Sequence, residues 1–297
     1  MRELEYELCD VFTSRPLEGN QLAVFLDGAA LTDEEMHAIA REMNLSETTF
    51  VHRRNRSTEQ ARGIRVRIFT TQEELPFAGH PSLGTAATIR RVFPEMASAE
   101  KIILDLNAGR VAVNFATDIN TGRSATFAEM KQLDPVFGST HSAAEIAAVL
   151  GLSEEDIAER APQTVSTGLP FCITVLRSLG ALKSLRLDPA ASEGYSHSSD
   201  AKFFYTLAPE SDGVWRARMQ FYNGEDPATG SAAGCAISYL VRYGLIAPGE
   251  RLHIRQGIEI RRPSDLYVSA NLANGKVSEV RVGGSTVPVA TGRLFLA

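Results

Sequence analysis

Three side chains of this sequence pair proton-moving or hydrogen-bonding groups with proline–glycine punctuation, and a fourth stands where a helix end runs into a strand. His80 stands before Pro81, Asp226 stands before Pro227, and Ser231 lies four residues beyond Pro227. Glu47 ends the stretch Asn44-Leu45-Ser46-Glu47, which runs into the strand-like Thr48-Thr49-Phe50-Val51. A carboxyl group and an imidazole can take a proton from carbon and give it back, so the set points to general acid–base chemistry. Each residue also has a plainer reading. Asp226 can be a helix N-cap, His80 a turn residue bonded to backbone, Ser231 a small packing residue, and Glu47 a solvated group at a helix end. Cys9, Cys172 and Cys235 read as small buried hydrophobes.

The elements that must position these residues come in two sets. Gly79-His80-Pro81-Ser82-Leu83-Gly84-Thr85-Ala86-Ala87 and Glu225-Asp226-Pro227-Ala228-Thr229-Gly230-Ser231-Ala232-Ala233 share Pro, Gly, Thr/Ser, Ala and Ala at a constant spacing of 146. At that spacing His80 and Asp226 match. Weaker echoes precede each segment: Gly19-Asn20-Gln21 with Gly168-Leu169-Pro170, and Arg67-Ile68-Phe69 with Arg218-Met219. So long a period indicates duplicated domains and not a solenoid. Each motif is expected to open a helix, with Pro in the first turn. Leu83–Phe93 and Ala232–Tyr243 are rich in small residues and poor in charge, the composition of a helix buried on most faces.

Short β-rich runs surround both helices, among them Tyr6–Phe12, Leu22–Leu26, Ile64–Phe69, Cys172–Leu176, Phe203–Leu207 and Val214–Phe221. Thr32-Asp33-Glu34-Glu35 is a capping box for a surface helix to about Met43, and Ser142–Leu150 and Ser153–Arg160 read as further surface helices. Each half is therefore an α+β unit, a curved antiparallel sheet wrapped around one buried helix. Thr, Asn, Gly and Ser cluster near 117–135, where a seam is expected. A helix start offers unpaired N–H groups and the positive end of a dipole. Two such starts aimed at one interdomain pocket would grip a small organic carboxylate.

Composition narrows the partners. A formal net charge of −6 argues against nucleic acid and anionic membranes. The most basic stretch, Arg53-Arg54-Asn55-Arg56, reads as a solvated hairpin loop. No apolar leader follows Met1, and no run of about 18 apolar residues occurs. Three well-separated cysteines fit a reducing compartment, so the cytoplasm is expected. The six histidines show no zinc-binding spacing, and phosphate-binding glycine loops are absent, so neither metal nor nucleotide cofactor is expected.

Pro16-Leu17-Glu18-Gly19-Asn20, the segment from Ile39 to Thr48, Arg67-Ile68-Phe69-Thr70, Glu74 to Pro81, Glu225 to Gly234, and Gln256-Gly257-Ile258-Glu259-Ile260 with Arg262-Pro263-Ser264 resemble the PhzF family of phenazine-biosynthesis-like proteins. The resemblance runs over essentially the whole chain. It implies the diaminopimelate-epimerase fold: two pseudo-symmetric domains, each a curved sheet or barrel around a central helix, with the active site between them. The division it suggests is 1–125 completed by 284–297, and 126–283.

The resemblance further implies a homodimer free of metal and coenzyme, acting on trans-2,3-dihydro-3-hydroxyanthranilate or an analogue. On its motifs Glu47 is the acid–base, with His80 and Asp226 in support. Asn20, Gly79, Gly84, Thr229, Gly230 and Ser231 are expected to bind the small carboxylic acid substrate. Related epimerases place a thiol at each helix start, near Ala78 and Pro227 here, where this chain has none. One partly desolvated carboxyl, its pKa raised towards neutrality, can instead move a proton between two carbons on one face. The segment 218–224 is shorter than in many family members, which leaves open another small amino or hydroxy acid as substrate. A non-catalytic protein on the same scaffold is the remaining alternative.

Overall fold

The computed structural model describes residues 1–116, 125–221 and 224–296, which gather into two compact units: Met1–Lys131 with Gly283–Ala297, and Gln132–Val282. Residues 117–124, where the expected seam begins, lie outside the described residues, as do Tyr222 and Asn223 of the shortened segment.

The first unit runs β1 (Arg2–Val11), β2 (Asn20–Phe25), α1 (Asp33–Met43), β3 (Thr48–His52), α2 (Arg56–Arg62), β4 (Ile64–Phe69), β5 (Glu74–Leu75), α3 (Gly79–Val92), β6 (Lys101–Leu106), β7 (Gly109–Phe115) and β8 (Thr126–Lys131). Through most of β4, buried Ile64, Val66 and Ile68 alternate with half-buried Arg65 and Arg67, the period of a strand with one face on a core. Thr32 caps α1 in a reciprocal capping box with Glu35, and Asn44 ends the helix in the left-handed region. That helix buries Met36, Ile39 and Ala40 in a cluster with Phe25, Phe50 and Phe69, each large side chain contributing about 1.5–3 kcal/mol. Central helix α3 is buried from Gly79 to Ile89 and packs against β1, β2, β3, β6, β7 and β8.

The second unit runs β9 (Val136–Thr140), α4 (Ala143–Leu150), β10 (Gln163–Ser166), β11 (Pro170–Val175), α5 (Leu179–Ser184), α6 (Pro189–Ser198), β12 (Phe203–Pro209), β13 (Val214–Phe221), β14 (Gly224–Glu225), α7 (Gly230–Arg242), β15 (Leu252–Gln256) and β16 (Ser264–Ala273). The last strand, β17 (Lys276–Leu296), belongs to this unit as far as Val282 and to the first unit beyond it, where it pairs with β1. Central helix α7 is buried from Ala232 to Val241 and packs against β10, β11 and β16.

Connectivity is duplicated. In the first unit β2 pairs with β3 in parallel, β3 with β4 antiparallel and β4 with β6 in parallel. β11, β12, β13 and β15 repeat that pattern in the second. The fold is α+β, as the alternating runs and the small-residue helices indicate. No helix among the described residues is long and apolar enough to cross a membrane.

Three local expectations change. Ser153–Arg160 is not a helix: only the turn Glu154–Asp156 is helical, in 3-10 form, before Ile157 goes extended. Arg53 to Arg56 does lie in the connection of the antiparallel β3–β4 hairpin, but that connection holds a short helix and its first two arginines are half-buried. Asn55 caps α2, while Arg53 pairs with Glu59 and Glu95, and Arg54 with Asp105. The two Pro-Gly motifs also do not open their helices in the same way, which reorganises the site.

Candidate active site

Two forked ion pairs set the register of the halves. Arg67 Nε donates to Glu74 Oε1 at 2.7 Å, and Arg218 Nε donates to Glu225 Oε1 at 2.9 Å; Nη2 closes each fork on the second carboxylate oxygen. Each glutamate is followed five residues later by the first residue of a central helix, Gly79 or Gly230. The halves thus correspond at a spacing of 151, which aligns Pro76 with Pro227, Leu75 with Asp226 and His80 with Ser231. The sequence match at 146 is displaced from this by five residues. Pro81 is the third residue of α3, whereas Pro227 lies in the turn ahead of α7. His80 and Asp226 therefore do not occupy equivalent positions.

In the first unit the structure brings Asn20, Glu47 and His80 together. Asn20 opens β2, Glu47 follows the left-handed cap of α1 and leads into β3, and His80 is the second residue of α3. Glu47 Oε2 lies 3.5 Å from His80 Nε2, with the side chains 16% and 6% exposed. Asn20 Nδ2 lies 3.3 Å from His80 Nδ1. Burial pushes the imidazole down to about 3 against the opposing pull of a backbone bond to Gln21, so the ring is neutral near pH 7. An amide N–H from Asn20 at Nδ1 puts the ring proton on Nε2, facing Glu47. Nε2 and Oε2 thus face each other at 3.5 Å, both buried.

In the second unit Asp226 is not the N-cap of α7. Thr229 holds that position, and its hydroxyl donates to Asp226 Oδ2 at 2.6 Å instead of capping the helix. Gln256 Nε2 donates to the Asp226 carbonyl at 2.8 Å and to Thr229 Oγ1 at 3.0 Å. Gln256 Oε1 accepts from the Thr229 N–H at 3.2 Å and from the Tyr205 hydroxyl at 3.0 Å. Tyr205 and Gln256 are fully buried, and burial raises the Tyr205 phenol far above its ordinary range. Gln256 was visible in the sequence only as part of a motif, and Tyr205 carried no signal beyond its strand.

The other expected residues divide between backbone and packing. Neither central helix has a side-chain cap, so Gly79 with His80, and Gly230 with Ser231, present first-turn N–H groups without one. Gly84 sits inside α3, where a Cβ would come within 2.6 Å of Leu22 Cδ2 and 2.7 Å of Val11 Cγ2, a packing reason to be glycine. Ser231 is half-buried, with its carbonyl oxygen 3.5 Å from Thr167 Oγ1. No three His, Cys, Asp or Glu side chains among the described residues are grouped to hold a metal ion. The three cysteines are buried, which pushes Cys9 and Cys172 up to about 12 and Cys235 up to about 11.

Residues 9–292 match the family described as phenazine biosynthesis-like protein. A trans-2,3-dihydro-3-hydroxyanthranilate isomerase of Pseudomonas aeruginosa is 37% identical, over 98% of this chain and 99% of its own length. An uncharacterized isomerase of Mesorhizobium japonicum is 34% identical over the full length of both. Among solved structures, a predicted epimerase from Pseudomonas aeruginosa superposes with a TM-score of 0.83 at 36% identity, covering 99% of this chain and all of the other. A probable proline racemase from Agrobacterium radiobacter, at 10% identity and a TM-score of 0.65, covering 99% of this chain and 93% of its own, shares the fold.

Proposed function

The chain belongs to the family of phenazine biosynthesis-like proteins and is an isomerase, and we propose that it moves a proton within trans-2,3-dihydro-3-hydroxyanthranilate or a similar cyclic amino acid, with Glu47 as acid and base. The observation that supports this most is the Glu47–His80 pair. A largely buried carboxyl group stands beside an imidazole that burial keeps neutral. A neutral ring sets no full positive charge against Glu47, and it can donate to the carboxylate or accept from the acid. The carboxyl group can therefore serve in both protonation states without its neighbour changing charge.

The reaction balances on that one group. Glu47 as carboxylate takes a proton from a ring carbon; that C–H bond breaks and an O–H bond forms. The electron pair shifts through the adjacent double bonds, and the acid returns the proton to a second carbon, restoring the carboxylate. Nothing is oxidised or reduced. Asp226 keeps its assignment to the substrate's amino group as part of this proposal. The substrate's carboxylate is assigned to uncapped first-turn N–H groups, Gly79–His80 or Gly230–Ser231. Racemisation by two thiols has no support, because neither central helix starts at a cysteine and all three cysteines are buried.

The test is turnover of trans-2,3-dihydro-3-hydroxyanthranilate by wild-type chain and by Glu47→Gln, with product followed by chromatography. Loss of general acid–base catalysis lowers kcat by about 10²- to 10⁴-fold. A Glu47→Gln enzyme with near wild-type kcat would remove Glu47 from the chemistry.

A further inference from the structure

The side-chain-to-side-chain hydrogen bonds behind Asp226 all donate towards it. Gln256 spends both amide hydrogens on the Asp226 carbonyl and Thr229 Oγ1, and both lone pairs of Oε1 on the Thr229 N–H and the Tyr205 hydroxyl. Turning the amide over would set its NH2 against the Thr229 N–H and its oxygen against the Asp226 carbonyl, two mismatches, so the network itself fixes the orientation. Because Thr229 Oγ1 accepts from Gln256, its one hydrogen is left for Asp226 Oδ2. The chain therefore reads Tyr205 to Gln256 to Thr229 to Asp226. It starts at fully buried groups and ends at a half-buried carboxylate. Gly257 makes the approach possible. It lies at φ +75°, and a Cβ there would come within 2.6 Å of the Pro227 carbonyl oxygen.

The fold does not require any of this. In the register set by the two forks and the strand pairings, Asp226, Thr229 and Gln256 correspond to Leu75, Ala78 and Leu106, and Tyr205 corresponds to Thr49. The same scaffold is built in the first unit with apolar side chains at three of the four places. A buried polar network is costly unless every member is satisfied, and here every member of the inner chain is. It holds the backbone of the 226–229 turn and ends on Asp226 Oδ2.

We propose that Tyr205, Gln256 and Thr229 are positioning residues that fix the Asp226 carboxylate for its part in the isomerisation. The inference rests on the function proposed above. Thr229→Val keeps the shape and removes the donor, and Gln256→Leu installs the residue type found at the equivalent place in the first unit. Loss of one hydrogen bond to a charged group lowers kcat by about 10- to 100-fold, while KM for trans-2,3-dihydro-3-hydroxyanthranilate changes by less than about threefold. Thr229→Ser restores kcat. In an Asp226→Asn background Thr229→Val costs nothing more, since the two act as one unit.

A readout without substrate accompanies the kinetics. The Asp226 carboxyl carbon, followed by NMR against pH, titrates at higher pH in Thr229→Val than in the wild-type chain, because a donor to its charged form has gone. An unchanged titration overturns the positioning role. So does a kcat within about twofold of wild type in Thr229→Val and Gln256→Leu while Asp226→Asn is impaired, an outcome that leaves the proposed function standing. Near wild-type turnover by Asp226→Asn itself overturns the assignment of Asp226 and this inference together.

Discussion

The forks Arg67–Glu74 and Arg218–Glu225 join the same atoms at the same distance from a central helix, yet around them the two halves carry opposite chemistry. Glu47, His80 and Asn20 in the first unit correspond by strand register to Phe203, Ser231 and Leu169 in the second. Asp226, Thr229 and Gln256 in the second correspond to Leu75, Ala78 and Leu106 in the first. What stayed the same after duplication is what builds the unit: the fork, the proline two residues on, the glycine that starts the helix. What diverged is polar in one half and mostly apolar or smaller in the other. Side chains that the scaffold demands and side chains that it merely tolerates can thus be separated within one chain.

The largest effect expected from this comparison is chemical. Glu47→Gln lowers kcat by about 10²- to 10⁴-fold, whereas Phe203→Leu at the corresponding place leaves kcat within about threefold. Equal losses at both places would mean that position and packing, not chemistry, set the rate. The forks give the next effect. Arg218 is 5% exposed and Glu225 7%, and Arg218 Nη1 also donates to the carbonyls of Leu182 and Leu185 at 3.0 Å. Arg67 is 15% exposed, and its second partner, Asp33, lies 70% in solvent. Breaking the buried fork with Arg218→Met costs about 3–5 kcal/mol in denaturant unfolding, and Arg67→Met costs about 1 kcal/mol. Similar losses would show that the fork alone matters and the buried carbonyls do not.

Much of the α+β plan was legible because it rests on local pattern. The capping box at Thr32 and the low-charge, small-residue stretches after Leu83 and Ala232 each have one physical reading. The repeat was legible but misaligned. Pro81 and Pro227 match in letters, while the echoes judged weaker, Arg67 with Arg218 and Gly19 with Gly168, hold the strand register. Ladder pairing and the forks decide between the two spacings, and neither is visible until strands are paired. The polar chain behind Asp226 was illegible for a related reason. Tyr205, Thr229 and Gln256 are far apart in sequence, and each alone has the appearance of an ordinary strand or turn residue. Ser153–Arg160 failed as a helix because its acidic first turn gives way to Ile157, whose extended backbone bridges Leu176.

A smaller effect separates the second residues of the two central helices, His80 and Ser231. The folded pKa of His80 is depressed to about 3, so below the ordinary value of 6.5 the unfolded chain binds a proton that the folded chain does not. Stability contributed by this group is full above pH 6.5 and falls as pH drops from 6.5 towards 3, by up to about 1.4 kcal/mol per pH unit. Replacing His80 with Asn removes that slope from the stability–pH curve, and Ser231→Ala leaves it in place. A slope that survives His80→Asn would assign it to other groups.

The finest comparison is between the two helix glycines. A Cβ on Gly84 meets the methyl ends of Leu22 and Val11, with Cys9 Sγ next at 3.4 Å, whereas one on Gly234 would overlap Gln132 Oε1. Methyl ends can turn aside, and overpacking of about 1–3 kcal/mol is offset by about 1 kcal/mol of helix propensity gained with alanine. Gln132 cannot move so freely. Its Oε1 accepts from Thr167 Oγ1 at 2.7 Å and its Nε2 donates to the Gly230 carbonyl at 2.9 Å, both buried. Displacing that amide leaves groups unpaired at about 1–3 kcal/mol each. Gly234→Ala is therefore expected to lower the unfolding midpoint more than Gly84→Ala. The reverse order would mean that close helix–strand contact in the first unit constrains the fold more than the amide anchoring α7 in the second.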